Sequence, residues 1–184
     1  MWDASLPKIG LAMRLDSLKN LPEHPLPEGI GWRFYAPGDE LHWARIEVSA
    51  GEFSCLEDGL ARFRREFPTD AGLRKRMIFL TDGGMPFATA TAWHEADGSG
   101  HLHYVAVDEA HQGRGLARPL VALALKRMRE LGHTRARLTT QTMSWVAIRL
   151  YHEFGFRPAP RTERDNEGWA LVSEKAGVEF RVEE

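Results

Sequence analysis

Apolar residues recur at two spacings along this chain. In Leu116–Leu131 they fall three or four apart, at Leu116, Leu120, Leu123 or Ala124, Met128 and Leu131, with Lys126, Arg127, Arg129 and Glu130 on the other side. That spacing predicts an amphipathic helix. Pro119 lies near its first turn, where a missing N–H is tolerated, and Gly132 follows its end. Before it, His101–Val107 reads as a strand that feeds the turn Gln112-Gly113-Arg114-Gly115-Leu116-Ala117. Arg76–Leu80 and Pro86–Trp93 are strand-like runs joined by Asp82-Gly83-Gly84, and Asp97-Gly98-Ser99-Gly100 is the next turn. Three consecutive strands therefore predict an antiparallel meander. After the long helix, Arg135–Thr140 is a strand reached by a helical crossover, so it pairs parallel to His101–Val107. Ser144–Phe154 is a second helix capped by Ser144, with Ala147, Ile148 and Tyr151 near one face and Gly155 at its end. A polar loop, Arg161–Gly168, leads to a final strand at Trp169–Glu174, and Ala176–Glu184 is a tail or an edge strand.

The first third of the chain is less regular. Trp32–Tyr35 is an aromatic first strand stopped by Pro37-Gly38. Asp39 caps a helix over Glu40–Ser49, with Trp43 and Ile46 on one face. Leu56–Phe67 is a second helix, marked by Leu60, Phe63 and Phe67 and stopped by Pro68. Residues 1–31 read as an extension or arm, with a short amphipathic helix over Leu11–Leu21 and no regular element through Pro22, Pro25 and Pro27. The division is an arm at 1–31, a domain at 32–174 and a tail or edge strand at 175–184. The order of elements predicts an α/β domain with a mixed, mostly antiparallel central sheet and helices on both faces. A dinucleotide-binding Rossmann domain is excluded. The glycine motif follows the third or fourth strand, and no acidic residue is placed to receive a ribose.

Composition narrows the partners. The chain has 184 residues, 43% of them apolar, enough for one domain with a sizeable core. The formal net charge is -2, which does not indicate an extended nucleic-acid surface. The charge is uneven, however: Gln112–Arg137 holds seven Lys or Arg residues and only Glu130 as an acid. No aromatics interleave with those cations as a single-strand binder would require. A basic stretch beside a glycine turn suits a small polyanion. The single cysteine, Cys55, excludes an intramolecular disulfide or a Cys-rich zinc site and fits a reducing cytoplasm. No apolar run is long enough to span a membrane, and no signal-peptide pattern opens the chain.

Strand, glycine-rich turn and helix N-terminus form an anion-binding arrangement. Gly113 and Gly115 allow a tight turn and a close backbone approach, and the amides at about Gly113–Ala117 open the helix. Two stretches here resemble the GCN5-related N-acetyltransferase (GNAT) superfamily of acyl-CoA-dependent enzymes. The first is VAVDEAHQGRGLA, which carries the family's Arg/Gln-x-x-Gly-x-Gly/Ala signature at Gln112–Ala117. The second is LTTQTMSWVAIRLYHEFGF, Leu138–Phe156, which resembles the family's Asn-x-x-Ala-x-x-Leu-Tyr-x-x-x-Gly-Phe segment, with Ser144 where asparagine is commonest. The likeness covers about Gly31–Glu174.

The resemblance implies a set of roles. Backbone amides of Gln112, Gly113, Arg114, Gly115, Leu116 and Ala117 cradle the pyrophosphate of coenzyme A, with charge from Arg114 and Arg118. Val105 and Val107 offer backbone groups to the pantetheine arm, where the central strand and Arg135–Thr140 splay apart. Tyr151 is the general acid for the departing thiolate, and Ser144 contacts the cofactor arm. The family's usual basic glutamate falls at His101; His103, two residues on and on the same strand face, is a second candidate, and His94-Glu95 a third. His111 shapes the loop. No metal is required, and Cys55 has no paired base to make it a nucleophile. The implied function is transfer of an acetyl group from acetyl-CoA to a primary amine of a small molecule or protein by direct attack in a ternary complex, with a backbone amide near Val107 polarising the carbonyl. A non-catalytic acyl-CoA sensor is the alternative. The acceptor would be held by residues 39–70, the turn at Gly83-Gly84 and residues 157–170, with Trp43, Phe53, Glu57 and Trp93 as candidates. A homodimer is expected from the family's habit.

Overall fold

The structure is a computed structural model, and it describes residues 2–69 and 72–181. Seven strands and six helices alternate as β1 (Gly10–Leu15), β2 (Ile30–Phe34), α1 (Glu40–Ser49), α2 (Leu56–Glu66), α3 (Leu73–Arg76), β3 (Met77–Asp82), β4 (Met85–His94), β5 (Gly100–Val107), α4 (Ala117–Glu130), β6 (Ala136–Gln141), α5 (Trp145–Glu153), β7 (Arg157–Pro158) and α6 (Glu163–Ala176). The sheet order is β2-β3-β4-β5-β6-β1-β7. Every neighbouring pair is antiparallel except β5 and β6, the pair joined through α4. The meander, the parallel crossover and the mixed sheet thus follow the hydrophobic pattern.

Helices cover both faces of the sheet, and β3 shows why. Its alternate residues enter two separate cores, as the strand's two-residue period requires. Met77 and Phe79 pack with Trp43 and Ile46 of α1 and Phe63 of α2. Ile78 and Leu80 join the core that Leu120, Ala124 and Met128 of α4 fill, and the same core runs on to Trp169 of α6.

Three expectations are corrected. Leu11–Leu21 does not form a helix. Leu11 and Met13 are fully buried and Leu15 nearly so, a period of two, and β1 lies between β6 and β7 inside the sheet. The stretch read as an arm therefore contributes an internal strand, next to the edge strand β7. The polar loop Arg161–Gly168 and strand Trp169–Glu174 are instead one helix, α6. The buried positions Asp165, Gly168, Trp169 and Val172 fall three and four apart, the helical period. Thr162 caps it by accepting from the Asp165 N–H, and Gly177 ends it in the left-handed region at φ +63°. Gly168 is required for the close approach of α6 to β1. A Cβ there would stand 2.9 Å from Leu11 Cδ2. Residues 177–181 form no strand, and 182–184 of the expected tail lie outside the described residues. Asp39 stands before α1, but its carboxylate makes no cap. It accepts from Arg33 at 2.5 and 2.7 Å and from the Ala36 N–H at 2.6 Å.

Candidate active site

The site begins with an irregularity in β5. Opposite β4, the pairs Thr91–His103 and Thr89–Ala106 leave one extra residue on β5, a β-bulge. Tyr104 sits in it with φ +48°, a strained region for a residue with a Cβ. Pairing between β5 and β6 is confined to Gly100–Ala136 and His101–Arg137, before the bulge. Beyond it the strands diverge, as the resemblance implied, and leave backbone groups of both edges without a strand partner. A cleft of about 290 Å³ lies in the gap. Its sides are Leu102–Ala106 of β5 and Leu138–Gln141 of β6.

Beyond its end, β5 enters the glycine turn. Asp108 accepts from the His111 N–H, and the His111 ring packs 4.1 Å from Phe87, almost parallel to it. Gln112 then donates from Nε2 to the Val107 carbonyl at 2.9 Å, tying the turn back to the strand. Gly113 and Gly115 hold φ +74° and +75°, and nothing lies within 4 Å of where a Cβ would stand. Their requirement is conformational rather than steric. The turn is open to an incoming group, and buried Leu116 anchors the start of α4 beneath it. This meets the demands of a diphosphate: oriented amides at a helix N-terminus with free space before them. Arg114 is exposed beside it. Arg118 forms an ion pair with Glu153 of α5 at 2.9 Å, so its charge is shared with the protein.

Tyr151 of α5 lines the cleft and is buried. Burial, reinforced by the Glu47 carboxylate, pushes its phenol well above the ordinary range, so it stays protonated as a donor. Ser144 precedes α5 but makes no capping hydrogen bond; its side chain lines the cleft instead. Val105 also lines the cleft, while Val107 pairs with Ala88 and receives Gln112.

The two histidines are placed differently. His101 is turned to Glu95, with 2.8 Å between Nδ1 and Oε1, and does not line the cleft. His103 lines it and sits 3.2 Å from Glu66 of α2. Burial, with the neighbouring His101 charge, lowers the His103 imidazole to about 4. Burial likewise lowers His101, against the pull of Glu95.

Sequence reasoning missed the carboxylates. Glu47 of α1 is 3% exposed, borders the cleft, and its Oε1 has no hydrogen-bond partner. Glu52 and Arg62 lie on the same wall, and Trp2 covers part of it. A signal was present: Trp43, Ile46 and Glu47 share the i, i+3, i+4 stripe that α1 turns to the core, where a glutamate is out of place. Of the region expected to hold an acceptor, 39–70 contributes through Glu47, Ala50, Glu52 and Arg62, and Asp70 lies outside the described residues. Trp43, Phe53, Glu57, Trp93, the Gly83-Gly84 turn and 157–170 do not border the cleft.

A mixed sheet split beside its parallel crossover, with a glycine turn opening the next helix, defines a CoA-dependent acyltransferase fold. The chain matches the acetyltransferase (GNAT) family over residues 39–156 and belongs to it. It is 29% identical over 154 residues to a mycothiol acetyltransferase of Nocardia farcinica, covering 76% of this chain and 49% of that one. It is 33% identical over 144 residues to a mycothiol acetyltransferase of Thermomonospora curvata, covering 74% and 47%. The chain thus spans about half the length of the curated relatives it matches. Among solved structures, a GCN5-related N-acetyltransferase from Sphaerobacter thermophilus has the same fold, with TM-score 0.64 and 24% identity over 83% of this chain and 49% of that one. The ribosomal-protein-S18-alanine N-acetyltransferase from Escherichia coli gives TM-score 0.58 and 25% identity over 71% and 79%. Among the described residues no helix is long and apolar enough to cross a membrane.

Proposed function

We propose that this chain transfers an acetyl group from acetyl-CoA to a primary amine of a small molecule or protein, by direct attack within a ternary complex. The observation that carries the reading is the cleft between diverging strands, with Tyr151 lining it and the glycine turn following the same strand. Bound acetyl-CoA would supply an acyl carbon activated as a thioester. The amides of Gln112–Ala117 hold its diphosphate, with Arg114 adding charge, while Arg118 first has to share itself with Glu153. The free edges of β5 at Val105 and of β6 take the pantetheine amides, and Ser144 faces the same arm. A backbone N–H near Val107 stabilises charge on the carbonyl oxygen as it builds. Tyr151 donates its proton to the leaving thiolate, and its protonated state at neutral pH suits that task.

The amine must reach the reaction unprotonated. Of the two histidines expected to take its proton, His103 is the one that faces the cleft, and His101 would act only through it or through water. An imidazole ionising near 4 is a weak proton acceptor.

The relatives named as mycothiol acetyltransferases support a small-molecule amine as acceptor. The test is coenzyme A release with an amine panel, wild type against Tyr151→Phe. A fall of about 10²–10⁴ in kcat with acetyl-CoA affinity retained is expected. Equal turnover removes Tyr151 from the mechanism, and acetyl-CoA binding without turnover on any amine indicates a sensor.

A further inference from the structure

We infer that Glu47 and Glu52 form the receptor for the acceptor's ammonium group, and that Glu47 takes up its proton. The inference rests on the acetyltransferase reading and names the residue and substrate class that reading leaves open. Glu47 is a glutamate on the core-facing stripe of α1, between the fully buried Trp43 and Ile46 on one side and the cleft on the other. A buried carboxylate is kept only where something compensates it. Here Oε1 has no partner within the protein. The residue itself borders the cavity that also holds Tyr151.

The groups around it decide what would fit. Glu52 follows on the turn after α1, where its N–H donates to the Glu47 carbonyl at 2.9 Å. Burial of Glu47, and secondarily the negative charge of Glu52, raise the Glu47 carboxyl well above the usual carboxylate range. Glu52 is itself raised by burial, against Lys8 and Arg62, which pull it down. From β5 the cleft presents Tyr104, pushed up to about 12 by burial, and His103, lowered to about 4; from α5 it presents Tyr151. All three are neutral at pH 7. Arg62 of α2 is the cation on this wall, and Trp2 lies across part of it. An ammonium group entering beside Glu47 supplies the counter-charge the carboxylate lacks and restores its ionised form. A carboxylate on the amine-bearing carbon would be brought against the same two acids. The class of acceptor is therefore a primary amine whose amine-bearing carbon carries no carboxylate.

The proton accounting closes. Ionised Glu47 takes one proton from the ammonium and later releases it to solvent. The free amine's lone pair forms the nitrogen–carbon bond, and the carbon–sulfur bond breaks with its electron pair going to sulfur. Tyr151 protonates that sulfur, and the second proton from nitrogen replaces the one Tyr151 gave.

The test compares the wild-type chain with Glu47→Gln and Glu52→Gln, using pentylamine and norleucine, single-amine compounds that differ by one carboxylate on the amine-bearing carbon. Acetyl-CoA binding is measured by calorimetry for each protein, and melting temperature is followed against pH without ligand. Wild type and variants are expected to bind acetyl-CoA alike. Pentylamine is expected to be favoured over norleucine by about tenfold or more in kcat/KM and in protection against unfolding. Glu47→Gln is expected to lower kcat/KM by about 10²-fold or more and to remove the acidic limb of its pH profile. Glu52→Gln is expected to move that limb to lower pH, since a like charge is gone. Without ligand, wild type should lose stability relative to Glu47→Gln as pH rises above about 4.3, because ionising a buried unpaired carboxyl is penalised. Wild-type turnover in Glu47→Gln, a pH-independent difference in melting temperature, norleucine matching pentylamine, or protection by neither amine overturns the inference. A wild type that does not bind acetyl-CoA sinks the acetyltransferase reading, while the ligand-free pH series still reports on Glu47.

Discussion

Replacing Leu11 by alanine tests whether the N-terminal stretch is part of the sheet. Leu11 has no exposed surface and stands opposite Thr140 of β6. Its Cδ2 lies 2.9 Å from the place a Cβ on Gly168 would occupy, so α6 is seated directly on it. Leu11→Ala removes three carbons, worth about 2.4 kcal/mol at about 0.8 kcal/mol each. The hole is slow to close, because the neighbouring chain is pinned: Thr142 N–H donates to the Ile9 carbonyl at 3.0 Å, and the Ile9 N–H to Thr142 Oγ1 at 3.1 Å. With the cavity term the loss is about 3–5 kcal/mol. That is a large share of a domain's stability of about 5–15 kcal/mol and lowers Tm by roughly 6–20 °C. The assay is equilibrium urea unfolding followed by circular dichroism, with Met85→Ala as control. Met85 is 58% exposed, and its replacement should change stability by no more than about 0.5 kcal/mol. A loss under about 1 kcal/mol in Leu11→Ala, or one equal to the control, would refute the placement of β1. Because Thr140 lines the cleft, activity in Leu11→Ala should fade with unfolding on warming rather than fall at low temperature.

Two further outcomes are expected. Gly115→Ala meets no steric obstacle but forces a residue with a Cβ to φ +75°, costing about 1–2 kcal/mol. It should weaken acetyl-CoA binding in calorimetry far more than it alters the far-UV spectrum; unchanged affinity would remove the turn from the cofactor site. His103 ionises at about 4 in the folded chain, below the ordinary value of about 6.5. The folded state thus disfavours its protonation, and the stability that depends on a neutral His103 is present above pH ~6.5 and lost as pH falls towards 4. His103→Asn should flatten that acid-side loss in a pH series of melting temperatures, and an unchanged slope would contradict the burial of His103 between Glu66 and His101.

The meander, the crossover and the glycine turn were legible because each rests on local chemistry: period-two runs, Asp-Gly turns, and a helix with a clean apolar stripe. The two misread segments were ambiguous for local reasons. Leu11, Met13 and Leu15 alternate, but Leu18 and Leu21 extend the run at helical spacing, and only pairing with β6 selects the strand. Trp169-Ala170-Leu171-Val172 is a short apolar run of either period, and the Thr162 cap and the fit of Gly168 on Leu11 select the helix. In the cleft, Tyr151, Ser144 and Val105 were visible through motif register. The acidic wall was not, because Glu47 and Glu52 meet β5 and β6 only after α1 is folded across the sheet. The bulge at Tyr104 was equally hidden: it is a property of the pairing of two strands, with no glycine to mark it.

The most direct test of the central claim is calorimetric titration of the wild-type chain with acetyl-CoA, followed by coenzyme A release on adding a primary amine. Saturable one-to-one binding that Gly115→Ala weakens, and release that Tyr151→Phe suppresses, is the expected result. Absence of acetyl-CoA binding would contradict the assignment of the Gln112–Ala117 turn and the cleft beside it.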